Sequence, residues 1–296
     1  MRLVRYQGYD DGRFEAAGVL VGDEVVPVSA LPGGFPDDTV RILEGGPALW
    51  AKMTAAAAAC PTRFHRTANK LLMPIERPGK VICIGLNYAL HAKEGGNPIP
   101  DYPAVFLRTQ TSLVGPDEAM LRPSCSTKLD YEAELAVVIG RTARGVKEED
   151  ALDYVGAYSL FNDGSVRDYQ RKSTQWTMGK NFDLTGAFGP VLVTPDELPP
   201  GAAPLRISAR VNGMTVQDST TGDMIFSVAR CIAILSEVMT LEPGDVIATG
   251  TPSGVGYARK PDPLFLAPGM TVEIEVEGIG VLRNRISDER PEIPGG

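Results

Sequence analysis

The chain opens with alternating apolar and polar positions. Met1 to Gln7 and Arg13 to Val21 read as strands, Gly22-Asp23 as a turn, and Glu24 to Val28 as a returning strand. From Asp37 to Ala59 the apolar spacing becomes helical, weakened at Gly45-Gly46-Pro47 and closed by Cys60-Pro61. A proline-rich passage, Met73-Pro74 and Arg77-Pro78-Gly79, leads into segments of different patterning. A boundary is therefore placed near residue 75, with a small α+β unit over 1–75 and a larger unit over 76–296.

The larger unit begins with Lys80 to Gly85, a short apolar run that suits a buried strand. Asn87 is expected to cap a short helix carrying Tyr88, His91 and Glu94, which Gly95-Gly96 ends. A helix of barely two turns depends on packing, so this one is free to open and close. Strands are expected at Ala104 to Arg108, Tyr131 to Ile139 and Tyr154 to Phe161. Asn212-Gly213, between Leu205 to Val211 and Met214 to Gln217, is the strongest hairpin signal in the chain. Ile225 to Met239 has helical spacing, and Asp245 to Ala248 and Met270 to Ser287 return to strand patterning. Regular β-α-β alternation is absent, which counts against a doubly wound sheet or an eight-fold barrel and leaves a mainly β, α+β fold.

Composition narrows the function. With 296 residues, 43% hydrophobic and 22% charged, the chain has the balance of a soluble globular protein. No apolar run approaches the ~18 residues of a membrane span. The start has no signal-peptide core, so a cytoplasmic protein is expected. The net charge of −8 counts against nucleic acid as a partner, because phosphate contacts need a basic surface. Cys60, Cys83, Cys125 and Cys231 stand alone, with no C-x-x-C pair, and are expected to be buried thiols. The only histidines are His65 and His91, so a three-histidine zinc site cannot form within one chain and any hard-metal site must be built of oxygens.

Several nucleotide and hydrolase motifs are missing. Neither Gly79-Lys80 nor Gly179-Lys180 is followed by Ser or Thr, so there is no P-loop. The Gly-rich segment from Gly250 to Gly256 lacks the third glycine and the helix of a dinucleotide fingerprint. No G-x-S-x-G elbow occurs.

Two constellations remain. In Leu129 to Ile139 a strand's period of two puts Glu132 and Glu134 on one face, roughly 7 Å apart, on a face that becomes apolar. Such a pair is unfavourable unless something neutralises it, and a divalent cation with oxygen ligands does so. The candidate third carboxylate is Asp163, 29 residues beyond Glu134 and just past the next apolar strand. The alternative is a solvated edge with ordinary surface acids. His91 and Glu94, three apart on a helix, share a face, so the carboxylate can orient the imidazole as a base for water. Here the alternative is a surface histidine.

At these residues the chain resembles the fumarylacetoacetate hydrolase family. The ordered motifs are Ile84-Gly-Leu-Asn-Tyr88 with His91 and Glu94, Ser112 to Gly115, Asp130-Tyr-Glu-Ala-Glu134, Asn162-Asp163 with Arg167-Asp-Tyr-Gln170, Gly179-Lys-Asn-Phe-Asp183, and Gly250-Thr-Pro-Ser-Gly-Val-Gly256, over roughly residues 78–288. The N-terminal unit is similar to the small extra domain of some members. The resemblance implies a mixed β-sandwich roll, a homodimer, and magnesium, manganese or calcium on Glu132, Glu134 and Asp163. It also implies that His91 and Glu94 generate a nucleophilic water on a mobile lid helix, that Lys180 polarises the substrate, and that Thr251, with Arg108 and Gln170, binds it. From those parts, hydrolysis of an acylpyruvate-type 1,3-diketo acid is the favoured reading. Decarboxylation of a 2-oxo acid, enol-keto isomerisation, dehydratase or lyase action on a sugar acid, and a non-catalytic cation-binding protein are the alternatives.

Overall fold

The computed structural model describes residues 1–8 and 15–288; the expected strand start at Arg13 and Phe14 and the short Pro/Gly end lie outside the described residues. A 12-stranded sheet organises most of the chain. Its main path runs Phe64–His65, Glu24–Pro27, Glu15–Val21, Arg2–Gln7, Gly186–Val193, Val155–Asn162, Ala133–Ile139, Val246–Ala248, Val81–Gly85, Ala104–Arg108. Along it every pairing is antiparallel except Val81–Gly85 beside Val246–Ala248.

The central strand Ala133–Ile139 shows why the layers stack as they do. All seven residues are buried, because each face meets a different layer. Leu135, Val137 and Ile139 share a core with Ile207, Ala209, Ile274 and Leu282 of a second, five-stranded sheet. Ala136 and Val138 share another with Ile42, Leu43, Trp50 and Met53 of helices α1 (Thr39–Glu44) and α2 (Gly46–Ala59). A strand buried on both sides loses its alternation and reads as a continuous apolar run. The fold is thus a strand-rich α+β stack of helices, sheet and sheet, without a closed barrel.

The first 75 residues contribute to the same sheet. Arg2–Gln7 pairs with Gly186–Val193 in the register Leu3 to Leu192, and α1 and α2 cover the face beside it. The expected helix from Asp37 is two helices. Asp38 caps α1 by accepting from the Arg41 N–H at 2.8 Å, and Gly46, at φ +67°, turns the chain into α2. On α2 the buried stripe is Trp50, Met53 and Ala57, with the Trp50 indole donating to the Ile42 carbonyl at 2.9 Å. The Asn212-Gly213 hairpin is present, both residues at positive φ (49° and 79°), as a type I′ turn requires.

Two local expectations are corrected. Asn87 caps no helix: helix α3 runs Ala89–Glu94 with Tyr88 ahead of it, and the Asn87 amide is spent elsewhere. Its Nδ2 donates to the carbonyls of Thr249 (2.7 Å) and Phe226 (3.0 Å), while its Oδ1 accepts from the Phe226 N–H, tying the turn before α3 to the start of the Gly-rich loop. Of the four free cysteines, three are buried but Cys125 is exposed. Among the described residues no helix is long and apolar enough to cross a membrane.

Candidate functional site

Strand register assembles the acids. Ala133 pairs with Asn162, so Glu132 lies across from Asp163, whose N–H donates to the Glu132 carbonyl at 3.1 Å. Glu134 is two residues farther along the same strand. On its other side Val246–Ala248 runs into the loop at Gly250, which adopts φ +94° and donates its N–H to the Glu134 carboxylate at 2.8 Å. Only glycine reaches that conformation without strain. Glu132, Glu134 and Asp163 are all buried, and one carboxylate oxygen from each lies within 4.8 Å of the others.

Bases surround this triad unequally. The Lys180 ammonium, at the end of helix α5 (Thr177–Lys180) that follows helix α4 (Arg167–Gln170), donates to Glu132 at 2.7 Å and Asp163 at 2.6 Å. Arg167 pairs with Glu132 and Asp130, each at 2.7 Å. Burial by itself would raise the Glu132 carboxyl, but Lys180 and Arg167 outweigh it and hold the group well below the ordinary range. Burial would lower Lys180, yet Asp163 and Glu132 keep its ammonium above its ordinary value. Glu134 forms no ion pair among the described residues. Burial first, then the charges of Asp163 and Glu132, push its carboxyl well above the carboxylate range. An oxygen-only donor set with one uncompensated acid fits a hard divalent cation, which would displace that proton and balance the charge.

The helical pair stands beside the triad. His91 Nδ1 and Glu94 are 2.8 Å apart, and the Glu94 carboxylate is fixed by the Gly254 N–H at 2.9 Å. Leu86, just before α3, sits at φ +57°, a left-handed conformation that costs roughly 1–2 kcal/mol without glycine. The Asn87 hydrogen bonds hold that turn in place.

His91, Glu132, Glu134, Asp163, Gln170, Lys180 and Thr251 all line one cavity of about 410 Å³. Thr251 is buried, its hydroxyl accepting from Gln217 Nε2 at 2.8 Å, and Gln170 Oε1 accepts from Arg167 at 2.9 Å. Arg108 does not belong to this lining, which corrects its expected place at the substrate. Its side chain is fully buried behind Asp163, and all five N–H donors are used, on Asp163, Gly164, Thr185 and twice on Ser112. His65 lies on the surface, does not line this cavity, and is bonded to Thr67 at 2.8 Å.

Sequence reasoning missed three contributors. Arg167 stands in the motif Arg167-Asp-Tyr-Gln170, but its spacing alone gives it no role. Asp130, fully buried, accepts from Arg167 and from the N–H groups of Tyr131, Gly256 and Tyr257, and so ties the Gly-rich loop to the triad. Gly256 must be glycine here, since a Cβ would lie 2.5 Å from the Asp130 oxygen. Tyr257 lines the cavity, and nothing in its local spacing signals that.

Comparison with known proteins now places the chain. Residues 80–287 match the fumarylacetoacetate hydrolase C-terminal family, and the chain belongs to that family of enzymes. It is 39% identical to the rat (Rattus norvegicus) mitochondrial oxaloacetate tautomerase Fahd2a, over 97% of this chain and 91% of that protein. Among solved structures it resembles the fumarylacetoacetate hydrolase of Exiguobacterium antarcticum (35% identity, TM-score 0.83, covering 98% and 100% of the two chains). It also resembles the 5-carboxymethyl-2-hydroxymuconate delta-isomerase of Mycobacterium smegmatis (33% identity, TM-score 0.75, covering 97% and 99%).

Proposed function

We propose that this chain is a divalent-metal-dependent enzyme that interconverts the keto and enol forms of a 2-oxo acid. The observation that carries this reading is the meeting, on one cavity of about 410 Å³, of three carboxylates with the Lys180 ammonium and with His91, whose Nδ1 is backed by Glu94. The similarity to an oxaloacetate tautomerase favours this chemistry over the others its relatives display.

Glu132, Glu134 and Asp163 would hold Mg2+ or Mn2+, with Ca2+ compatible with the same donors. Bound there, the ion would act as a Lewis acid for negative charge developing on the substrate oxygens. His91 donates Nδ1–H to Glu94, which leaves Nε2 as the base that takes the proton from the carbon beside the ketone. The same nitrogen returns that proton to the enol oxygen or, in reverse, to carbon. Lys180, kept charged by its acids, donates to the oxygen that gains charge. The Thr251 hydroxyl and the Gln170 amide orient the substrate carboxylate, and Arg108 positions Asp163 from behind. In this reading the protein works as a cytoplasmic homodimer on small molecules, with residues 1–75 as a supporting unit.

Hydrolysis of an acylpyruvate is the second reading, favoured by the same His91–Glu94 pair, because a carboxylate-oriented imidazole also activates water. A proton NMR assay in D2O separates them. Metal-stripped protein is given oxaloacetate and acetylpyruvate, with and without added magnesium or manganese. Metal-dependent deuterium entry at C3, faster than in a metal-only control, is the expected result. Acetate plus pyruvate from acetylpyruvate would move the assignment to the hydrolase, and no metal-dependent change in either acid would overturn both.

A further inference from the structure

Among the described residues lining the cavity, one arginine is claimed by no acid. Arg167 and Arg171 stand four residues apart, on the same side of the α4 turn, with the Arg171 N–H donating to the Arg167 carbonyl at 3.2 Å. Arg167 is spent on Asp130 and Glu132. Arg171 also lines the cavity, but among the described residues its guanidinium forms no ion pair or hydrogen bond. Exposed at the cavity's edge, it lies over the Tyr257 ring, with the Arg167 and Arg171 guanidinium carbons each 4.5 Å from the ring centroid. Tyr257 is held by its backbone N–H on Asp130 at 3.0 Å, and its hydroxyl lies against Gly95 at the end of α3, where a Cβ would come within 2.8 Å of it. Phe106 and Trp176, ring centroids 5.6 Å apart, supply an aromatic wall to the same cavity and little for an anion to bind.

We propose that Arg171, seated on Tyr257, is the specificity-determining residue that receives a second carboxylate of the substrate, so that the cavity prefers dicarboxylic over monocarboxylic 2-oxo acids. The proposal rests on the 2-oxo acid reading above and adds the group that selects among such acids. A guanidinium resting on a ring and paired with no acid among the described residues suits this role, because its planar fork donates two parallel hydrogen bonds to a carboxylate at little ordering cost.

The test is titration calorimetry on magnesium-loaded protein with acids matched in carbon number, 2-oxobutanoate against oxaloacetate and 2-oxopentanoate against 2-oxoglutarate. The wild-type protein should bind at least one dicarboxylate about tenfold more tightly than its partner. Arg171→Ala should remove that preference by weakening the dicarboxylate alone, leaving the monocarboxylate within about twofold. Arg171→Lys should keep part of it. Tyr257→Phe should keep the preference and Tyr257→Leu should reduce it. Equal weakening of both acids in Arg171→Ala, or an unchanged preference, would overturn the assignment while leaving the 2-oxo acid reading intact. Failure of the wild type to bind any of the four acids would overturn that reading, and this one with it.

Discussion

The molecule holds two networks of charge built from the same residue types. On the five-stranded sheet Arg206 meets Asp218 at 2.8 Å, and Arg210 bridges Glu273 and Glu275, with Arg283 also on Glu273. Arg206, Asp218, Glu275 and Arg283 are exposed and Arg210 and Glu273 only partly buried, so each pair stays within reach of water and gains little over its solvated state. At the ends of Ala133–Ile139 and Val155–Asn162 the pairs are sealed. There, among the described residues, Asp130, Glu132 and Asp163 form ion pairs with Arg108, Arg167 and Lys180, and Glu134 forms none. Burial multiplies the consequence of each imbalance, because charge taken out of water must be paired or neutralised. An acid surplus that would be invisible on the open sheet becomes, inside, a site with a demand for a cation.

The largest break in this contrast should come from Glu132→Gln. It removes a ligand and leaves Lys180 and Arg167 short of an acid, so metal uptake, measured by calorimetry, and turnover should both vanish; metal bound at wild-type affinity would refute the ligand assignment. His91→Ala should keep the metal and lower the rate by ~10²–10⁴, the usual worth of a general base, and unchanged turnover would remove His91 from the chemistry. Arg108→Ala tests the sealed network from behind the cavity, at its clamp on Asp163. Leaving the buried Asp163 without its clamp should cost ~3 kcal/mol and lower the thermal midpoint by several degrees, whereas an unchanged midpoint would mean that the pair is not coupled to folding. On the open sheet, Arg206→Ala should leave both midpoint and activity unaltered.

Acid titration sharpens the same contrast at its weakest point. Burial opposes it, but the hydrogen bonds from Arg210 and Arg283 hold the Glu273 carboxyl below its ordinary value. Its folded value is thus lower than its unfolded one, so the stability it contributes is complete above the unfolded value of ~4.3 and is lost as pH falls through the folded value. Glu273→Gln should therefore lower stability slightly at pH 7, by an amount that fades as pH falls from 5 to 3; an equal loss at pH 3 and pH 7 would show that the charge of this carboxylate is not what its partners stabilise.

Much of this architecture was legible beforehand, and the misses share a cause. The strands, the Asn212-Gly213 turn and the E-x-E pair are local patterns, and local spacing is what a sequence displays directly. The triad could be anticipated because the Glu132–Asp163 relation follows from one antiparallel pairing. Asn87 misled because an asparagine ahead of a helix caps it by default, whereas here partners at Thr249 and Phe226, distant in sequence, compete for its amide. Arg108 was placed at the substrate by analogy, but five acceptors from four separate residues enclose it, and nothing in its own segment reveals them. The roles of Asp130 and Tyr257 likewise depend on a loop more than 120 residues from Asp130 folding back onto it.

The central claim is that the buried triad is a cation site. A crystal grown with manganese and measured at the metal's absorption edge tests it most directly. One anomalous peak in contact with carboxylate oxygens of Glu132, Glu134 and Asp163 is the expected result. A manganese-dependent enzyme whose only peak lies elsewhere would contradict the account.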